Sequence, residues 1–238
     1  MRTSPWQFFT IAILGVSCSL VLGDLKETES VEADVHFEIS DNVHRLTIET
    51  FNGGLEIIER AAVSDGERNN LISGESKVWA SGNTKEEALA RAAEMTWTYR
   101  ESGDEAVISL TRSESRSGNT GGQLRKLSVP AGLAIHLDSS NGNLDLTGAC
   151  DNFALDTSNG RITVQLTGDW SGRGTANSSN GRIAVRCDGK LDCSLDMKTS
   201  NGKPKILGPP LSEDLGTGSL RLRTSNGHIT VTHLFDKE

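Results

Sequence analysis

A four-residue phrase written five times restricts the fold of this 238-residue chain more than any other feature. It reads Ser139-Ser140-Asn141-Gly142, Thr157-Ser158-Asn159-Gly160, Ser178-Ser179-Asn180-Gly181, Thr199-Ser200-Asn201-Gly202 and Thr224-Ser225-Asn226-Gly227. The asparagines are 18, 21, 21 and 25 residues apart, a period that marks stacked repeats. Apolar residues stand four and six positions before each asparagine: Leu137 and Ile135, Leu155 and Phe153, Ala176 and Gly174, Met197 and Leu195, Leu222 and Leu220. Others stand three and five positions after it: Leu144 and Leu146, Ile162 and Val164, Ile183 and Val185, Pro204 and Ile206, Ile229 and Val231. Period two on both sides of a turn describes strand, corner, strand, with one face of each strand inward.

A single unit of this kind cannot cover its own apolar face, so units must stack and bury one another. The expected fold is mostly β: a β-solenoid, or β-helix-like stack, over 127–238. A sandwich of hairpins with two-residue Asn-Gly turns is the rival. It leaves the hydroxyl residues before every Asn-Gly unexplained, whereas a stack aligns them into columns. Asparagine and glycine at the corner are expected from their tolerance of positive φ. Gly174 and Ala176 weaken the third unit's inner face, which is either locally thin or packed against something else. Pro204 interrupts the fourth unit, and the open ends of the stack need covers, for which the amino-terminal part and the tail His233–Glu238 are candidates.

Upstream of the repeats the reading is less regular. His44–Thr50 alternates as a half-buried strand, Asn52-Gly53-Gly54 turns, and Leu55–Ile58 resumes, in the style of the later corners. Thr84-Lys85-Glu86-Glu87 has a capping-box pattern and opens one amphipathic helix, about 84–95. Thr96–Arg100 and Ala106–Thr111 form a strand pair with Trp97 and Tyr99 on one core-facing side. Residues 24–111 thus make a β-rich amino-terminal segment with one helix, a cap for the stack. Residues 112–126 form a polar, flexible link.

The first 23 residues carry Arg2, an uncharged run from Trp6 to Leu22 and small or branched residues at Val21 and Gly23, the pattern of a secretory signal peptide cut before Asp24. Lipidation at Cys18 is the weaker alternative, since Gly15 stands where a lipoprotein box has leucine. Export places the chain, periplasmic, surface-bound or secreted, where disulfides form; Cys187 and Cys193 are the expected pair and Cys150 a buried thiol. The net charge is −8, and residues 131–238 hold 11 basic against 12 acidic side chains with no aromatic-basic stretch, so nucleic acid is set aside.

The repeated Thr/Ser-Ser-Asn-Gly units, the Leu127-Ser128-Val129-Pro130-Ala131-Gly132 lead-in, Glu49-Thr50-Phe51-Asn52-Gly53-Gly54 and the Lys85-Glu86-Glu87-Ala88 helix carry a resemblance. The chain resembles a bacterial family of exported adhesins of unknown function, built as β-helix-like stacks. That resemblance covers most of the mature chain and implies a cell-envelope role without a catalytic signature. The longer Gly208-Pro209-Pro210 connection departs from its pattern.

Chemistry is sparse by motif. The five histidines lack metal-binding spacing, no nucleophile elbow or phosphate loop is present, and neither metal nor cofactor is expected. Three positions before each asparagine stand Asp138, Asp156, Asn177, Lys198 and Arg223, so only two carboxylates would stack. Two positions after it stand Asn143, Arg161, Arg182, Lys203 and His228. In a stack, Arg161, Arg182, Lys203 and His228 become an outward basic column able to grip an anionic glycan or envelope surface through many weak contacts. The leading expectation is a non-enzymatic exported adhesin or structural binding module. The alternatives are a carbohydrate-active β-helix enzyme, favoured if carboxylates converge near Arg161 or Arg182, and a periplasmic scaffold or sensor of envelope signalling.

Overall fold

Alternating apolar residues order most of the chain into strands. The computed structural model describes residues 16–17, 27–61, 70–111, 119–208 and 217–233. Before the repeats lie β1 (Val16–Ser17), β2 (Glu27–Glu38), β3 (Arg45–Thr50), β4 (Leu55–Glu59), β5 (Leu71–Gly82), helix α1 (Lys85–Ala93), β6 (Trp97–Ser102), β7 (Glu105–Leu110) and β8 (Thr120–Val129). The repeats supply strand pairs, one pair per Asn-Gly corner. They are β9 (Ala134–Ser139) with β10 (Leu144–Gly148), β11 (Asn152–Thr157) with β12 (Ile162–Leu166), and β13 (Arg173–Ser178) with β14 (Ile183–Cys187). The last two are β15 (Cys193–Thr199) with β16 (Pro204–Leu207), and β17 (Gly218–Thr224) with β18 (Ile229–His233).

The described chain is mostly β with one helix, in two sheets. The first runs β1-β2-β5-β8-β4-β10-β12-β14-β18-β16 and the second β15-β17-β13-β11-β9-β3-β7-β6. Both are mixed and open. The repeat strands pair in parallel, in register, while β2/β5, β5/β8 and β6/β7 are antiparallel. Every corner carries the chain from the second sheet to the first, and the inward aliphatic side chains of both form one core. Coil β3/β4, which turns at Asn52, joins the same stack through Thr50↔Ser139 and Leu55↔Leu144.

The stack is not in sequence order. β17/β18 lies directly on β13/β14, and β15/β16 is outermost. Pro204 accounts for this placement. Its counterparts Leu144, Ile162 and Ile183 each donate their N–H to the next coil, at Arg161 O, Arg182 O and His228 O, 2.9–3.0 Å. Proline has no N–H to donate, so it fits where no next coil follows. Consequently Pro204 and Ile206, expected inside, are exposed, with Ile206 at 44%. The thin third coil is filled by its neighbour: the Phe153 ring occupies the place where a Cβ on Gly174 would sit, 2.3 Å from Phe153 Cζ. That ring leans on Trp170, centroids 5.9 Å apart.

At the β3/β4 end both sheets continue through a parallel neighbour, β7 on β3 and β8 on β4, into antiparallel strands. α1 packs on β5 and β2 and begins with the expected cap, Glu87 N–H to Thr84 Oγ1 at 3.2 Å and Asn83 N–H to Glu87 Oε2 at 2.8 Å. Trp97 and Tyr99 are buried, Tyr99 stacked on Phe37 at 5.2 Å. Residues 120–126, expected in a flexible link, instead open β8 between β5 and β4. Gly121 there is steric, since a Cβ would lie 2.0 Å from Asn52 O. The signal peptide, apart from Val16–Ser17, the first part of the link (112–118) and the tail beyond His233 lie outside the described residues. Among the described residues no helix is long and apolar enough to cross a membrane.

Candidate functional site

The corners align into a ridge along the stack, and three kinds of bond hold it. Each asparagine donates its side-chain N–H to the Oδ1 of the asparagine one coil earlier. Asn141 donates to Asn52, Asn159 to Asn141, Asn180 to Asn159, Asn226 to Asn180 and Asn201 to Asn226, all at 2.7–2.8 Å. Two residues before each asparagine a buried or half-buried hydroxyl donates to a glycine carbonyl of the adjoining coil. Ser139 reaches Gly53 O, Thr157 Gly142 O, Ser178 Gly160 O, Thr224 Gly181 O and Thr199 Gly227 O, at 2.9–3.1 Å. The glycines bring these coils close: a Cβ at Gly160 would lie 1.9 Å from Gly142 O, and one at Gly181 1.8 Å from Gly160 O. None of the five repeat-corner glycines has a positive φ, so close approach, not turn handedness, is why glycine stands there.

Two residues after the asparagines, where the ten-stranded sheet begins, the exposed column runs in the spatial order Asn143, Arg161, Arg182, His228, Lys203. Successive members are spaced at about one inter-strand distance, roughly 4.8 Å. Local bonds set their backbones: Arg161 N–H to Asn143 Oδ1 at 3.0 Å and Lys203 N–H to His228 Nδ1 at 3.3 Å. Arg161, Arg182 and Lys203 form no ion pair among the described residues. The expected residues are thus neighbours, although His228 stands between Arg182 and Lys203.

The row three positions before the asparagines lies across the ridge, on the outer face of the eight-stranded sheet. In space it reads Glu49, Asp138, Asp156, Asn177, Arg223, Lys198, acidic at one end and basic at the other. Its carboxylates meet His136, whose Nε2 is 3.8 Å from Asp156 Oδ2, and Asn177, which donates to Asp156 Oδ1 at 2.8 Å. The Asp156 carboxylate beside it holds the His136 pKa above its ordinary value, and His136 in turn lowers that of Asp156. Burial and the Asp156 charge raise that of Asp138. These groups lie across the ridge from Arg161 and Arg182. Among the described residues no cluster of three or more His, Cys, Asp or Glu is placed to hold a metal ion. Glu49 does not follow from the repeated phrase, because its coil carries Thr50-Phe51 in place of Ser/Thr-Ser; Asn52-Gly53 is its one sequence signal.

Cys150, Cys187 and Cys193 are buried free thiols, and the expected Cys187–Cys193 disulfide is not formed. Cys187 closes β14 in one sheet and Cys193 opens β15 in the other, with the Trp170↔Leu191 bridge between. The Cys187 thiol points to Gly168 O at 3.3 Å, and burial pushes the Cys193 thiol up to about 11.

No family model matches the chain, nor does any curated protein. Its fold is similar to the crystal structure of a "putative cell adhesion protein" from Clostridium sporogenes. That match has a TM-score of 0.53 and 10% identity, over 85% of this chain and all of the other. A "putative adhesin" from Bacteroides fragilis aligns over 85% of this chain and 97% of its own at 10% identity, with a TM-score of 0.35. At such identities the first likeness concerns fold alone.

Proposed function

We propose that the chain is a non-enzymatic, exported cell-envelope protein, a β-solenoid acting as an adhesion-type or structural binding module. Its ligand is an anionic glycan or envelope surface, held by Arg161, Arg182, His228 and Lys203. One observation carries the reading: exposed cationic side chains without ion-pair partners among the described residues repeat in register on a ridge locked by the asparagine bonds. Each contact is weak in water, but a periodic anionic chain can make several at once. The fold's likeness to a protein described as adhesive agrees with this reading. The placement of Asp138 and Asp156 away from Arg161 and Arg182 weighs against the glycan-cleaving alternative.

The test is retention of the purified mature chain on an immobilised sulfated or uronate glycan. Arg161→Ala with Arg182→Ala should lower the salt needed for elution while leaving thermal unfolding unchanged, since neither side chain makes a structural bond. Elution of wild type and double variant at the same salt would remove the proposal.

A further inference from the structure

A second recessed surface lies on the outer face of the eight-stranded sheet, on the opposite side of the ridge from the cationic column. It is a groove of about 620 Å³ that crosses the strands near their starts, a size that suits a small molecule or a few sugar rings. Its floor is low because outward positions there carry small residues, Ala134, Ala154, Thr175 and Ser219. Four basic groups line it, Arg45, His136, Arg173 and Arg221, against two carboxylates, Asp196 and Glu105, the latter accepting from Thr47 Oγ1 at 2.7 Å.

Arg221 is turned toward Asp196, 3.8 Å away, and His136 toward Asp156. Arg45 and Arg173 are exposed and have no side-chain partner among the described residues. They occupy the same cross-strand row, with Ala134 and Asn152 between them. Three inter-strand steps separate their Cα atoms by roughly 14 Å. Guanidinium groups carried on Cα atoms this far apart, over a floor of small side chains and backbone, match a ligand with carboxylates some rings apart on a flat, partly apolar body.

We propose that this groove binds an acidic oligosaccharide of about three to four rings, laid along the stack, with carboxylates paired to Arg45 and Arg173. Arginine suits that role because its planar fork pairs with carboxylates in two parallel hydrogen bonds. An extended peptide fits less well: its side chains repeat on one face at about 6.6 Å, out of step with strands about 4.8 Å apart. A sugar ring in an extended glycan advances by nearly one strand spacing. The site is separate from the cationic column, so either can fail alone.

The experiment is titration calorimetry with tetragalacturonate, run beside cellotetraose, a neutral chain of equal length, and a hexaglutamate peptide. Tetragalacturonate should bind, cellotetraose should not, and Arg45→Ala with Arg173→Ala should weaken binding at least ten-fold without altering the unfolding temperature. Arg161→Ala with Arg182→Ala should leave it unchanged. Ala154→Trp, which fills the floor, should abolish it in a folded protein. The proposal is overturned if tetragalacturonate fails to bind, if the Arg45/Arg173 variant binds as wild type, or if only the Arg161/Arg182 variant loses binding. Binding of hexaglutamate in preference to the uronate would assign the groove to acidic peptides and likewise overturn it.

Discussion

Single residues in the corner phrase have separable duties. Asparagine links coil to coil, the preceding hydroxyl caps a glycine carbonyl, and glycine lets backbones approach to a distance no Cβ permits. Gly160→Ala should therefore cost about 1–3 kcal/mol, because the clash is with backbone and cannot be relieved by a rotamer change. Gly103→Asn should be nearly neutral, since Gly103 has φ +64° and open space around it. Urea unfolding of both variants checks the contrast. His136 supplies a pH dependence. Its folded pKa lies above the ordinary 6.5, raised by Asp156 and further by the charges of Asp138 and Glu49, so its stabilisation is complete below that value and is lost as pH rises through the raised one. Asp138, with its pKa raised, acts in the same direction. Asp156, with its pKa lowered from 3.8, contributes above that value and loses its effect on acidification. Through His136, thermal stability should hold up to about pH 6.5 and fall slightly toward pH 8, whereas the smaller Asp138 loss lies in the acid range just above 3.8. For so exposed a pair the effect is about 1 kcal/mol or less, and His136→Gln should flatten the decline.

Among the elements, coils two and three are fitted to each other. Gly174 is not a weak point in β13 but the slot for the Phe153 ring of β11. Phe153→Ala should destabilise by about 3–5 kcal/mol, and Gly174→Leu alone should also destabilise because the ring is in the way. Combined, the two should cost clearly less than their sum, a coupling that a double-mutant cycle in denaturant measures. The sequence shows that the third coil is thin; only the parallel register shows what fills it. The helix was legible in full, because capping is a local matter of Thr84 and Glu87. β8 was not, because Gly121 and Gly122 read as flexibility when their smallness serves packing, Gly121 against the distant Asn52 corner and Gly122 against Leu110 and Val78.

Across the whole molecule, the stack has one elaborated end and one bare one. Beside β3 and β4 the parallel neighbours β7 and β8 lead into antiparallel strands that extend both sheets, while β15 and β16 pair on one side only among the described residues. Substitutions should follow this spatial order rather than the order of the repeats. Ile206→Lys, on the exposed outer coil, should change stability by about 0.5 kcal/mol or less. Val185→Lys, at the equivalent place in a buried coil, should prevent folding, because a charge would enter the core unpaired. Circular dichroism and thermal melts of the two variants distinguish the arrangements; an equal loss in both would contradict an outermost fourth unit.

The period, the alternation of inward residues, the corner chemistry and the residues of the cationic column are all written in short-range spacing along the chain. Tertiary structure alone decided the order of the coils, and with it the neighbours of every surface residue. It placed His228 between Arg182 and Lys203, set Glu49 beside Asp138, and brought Arg45 into one row with Arg173. The physical reason is that parallel strands pair through backbone groups common to all coils, so the repeat does not encode which coil lies on which. That choice falls to Pro204, which lacks the N–H a following coil would need, and to a fifth unit of Leu220, Leu222, Ile229 and Val231 that can be covered on both sides.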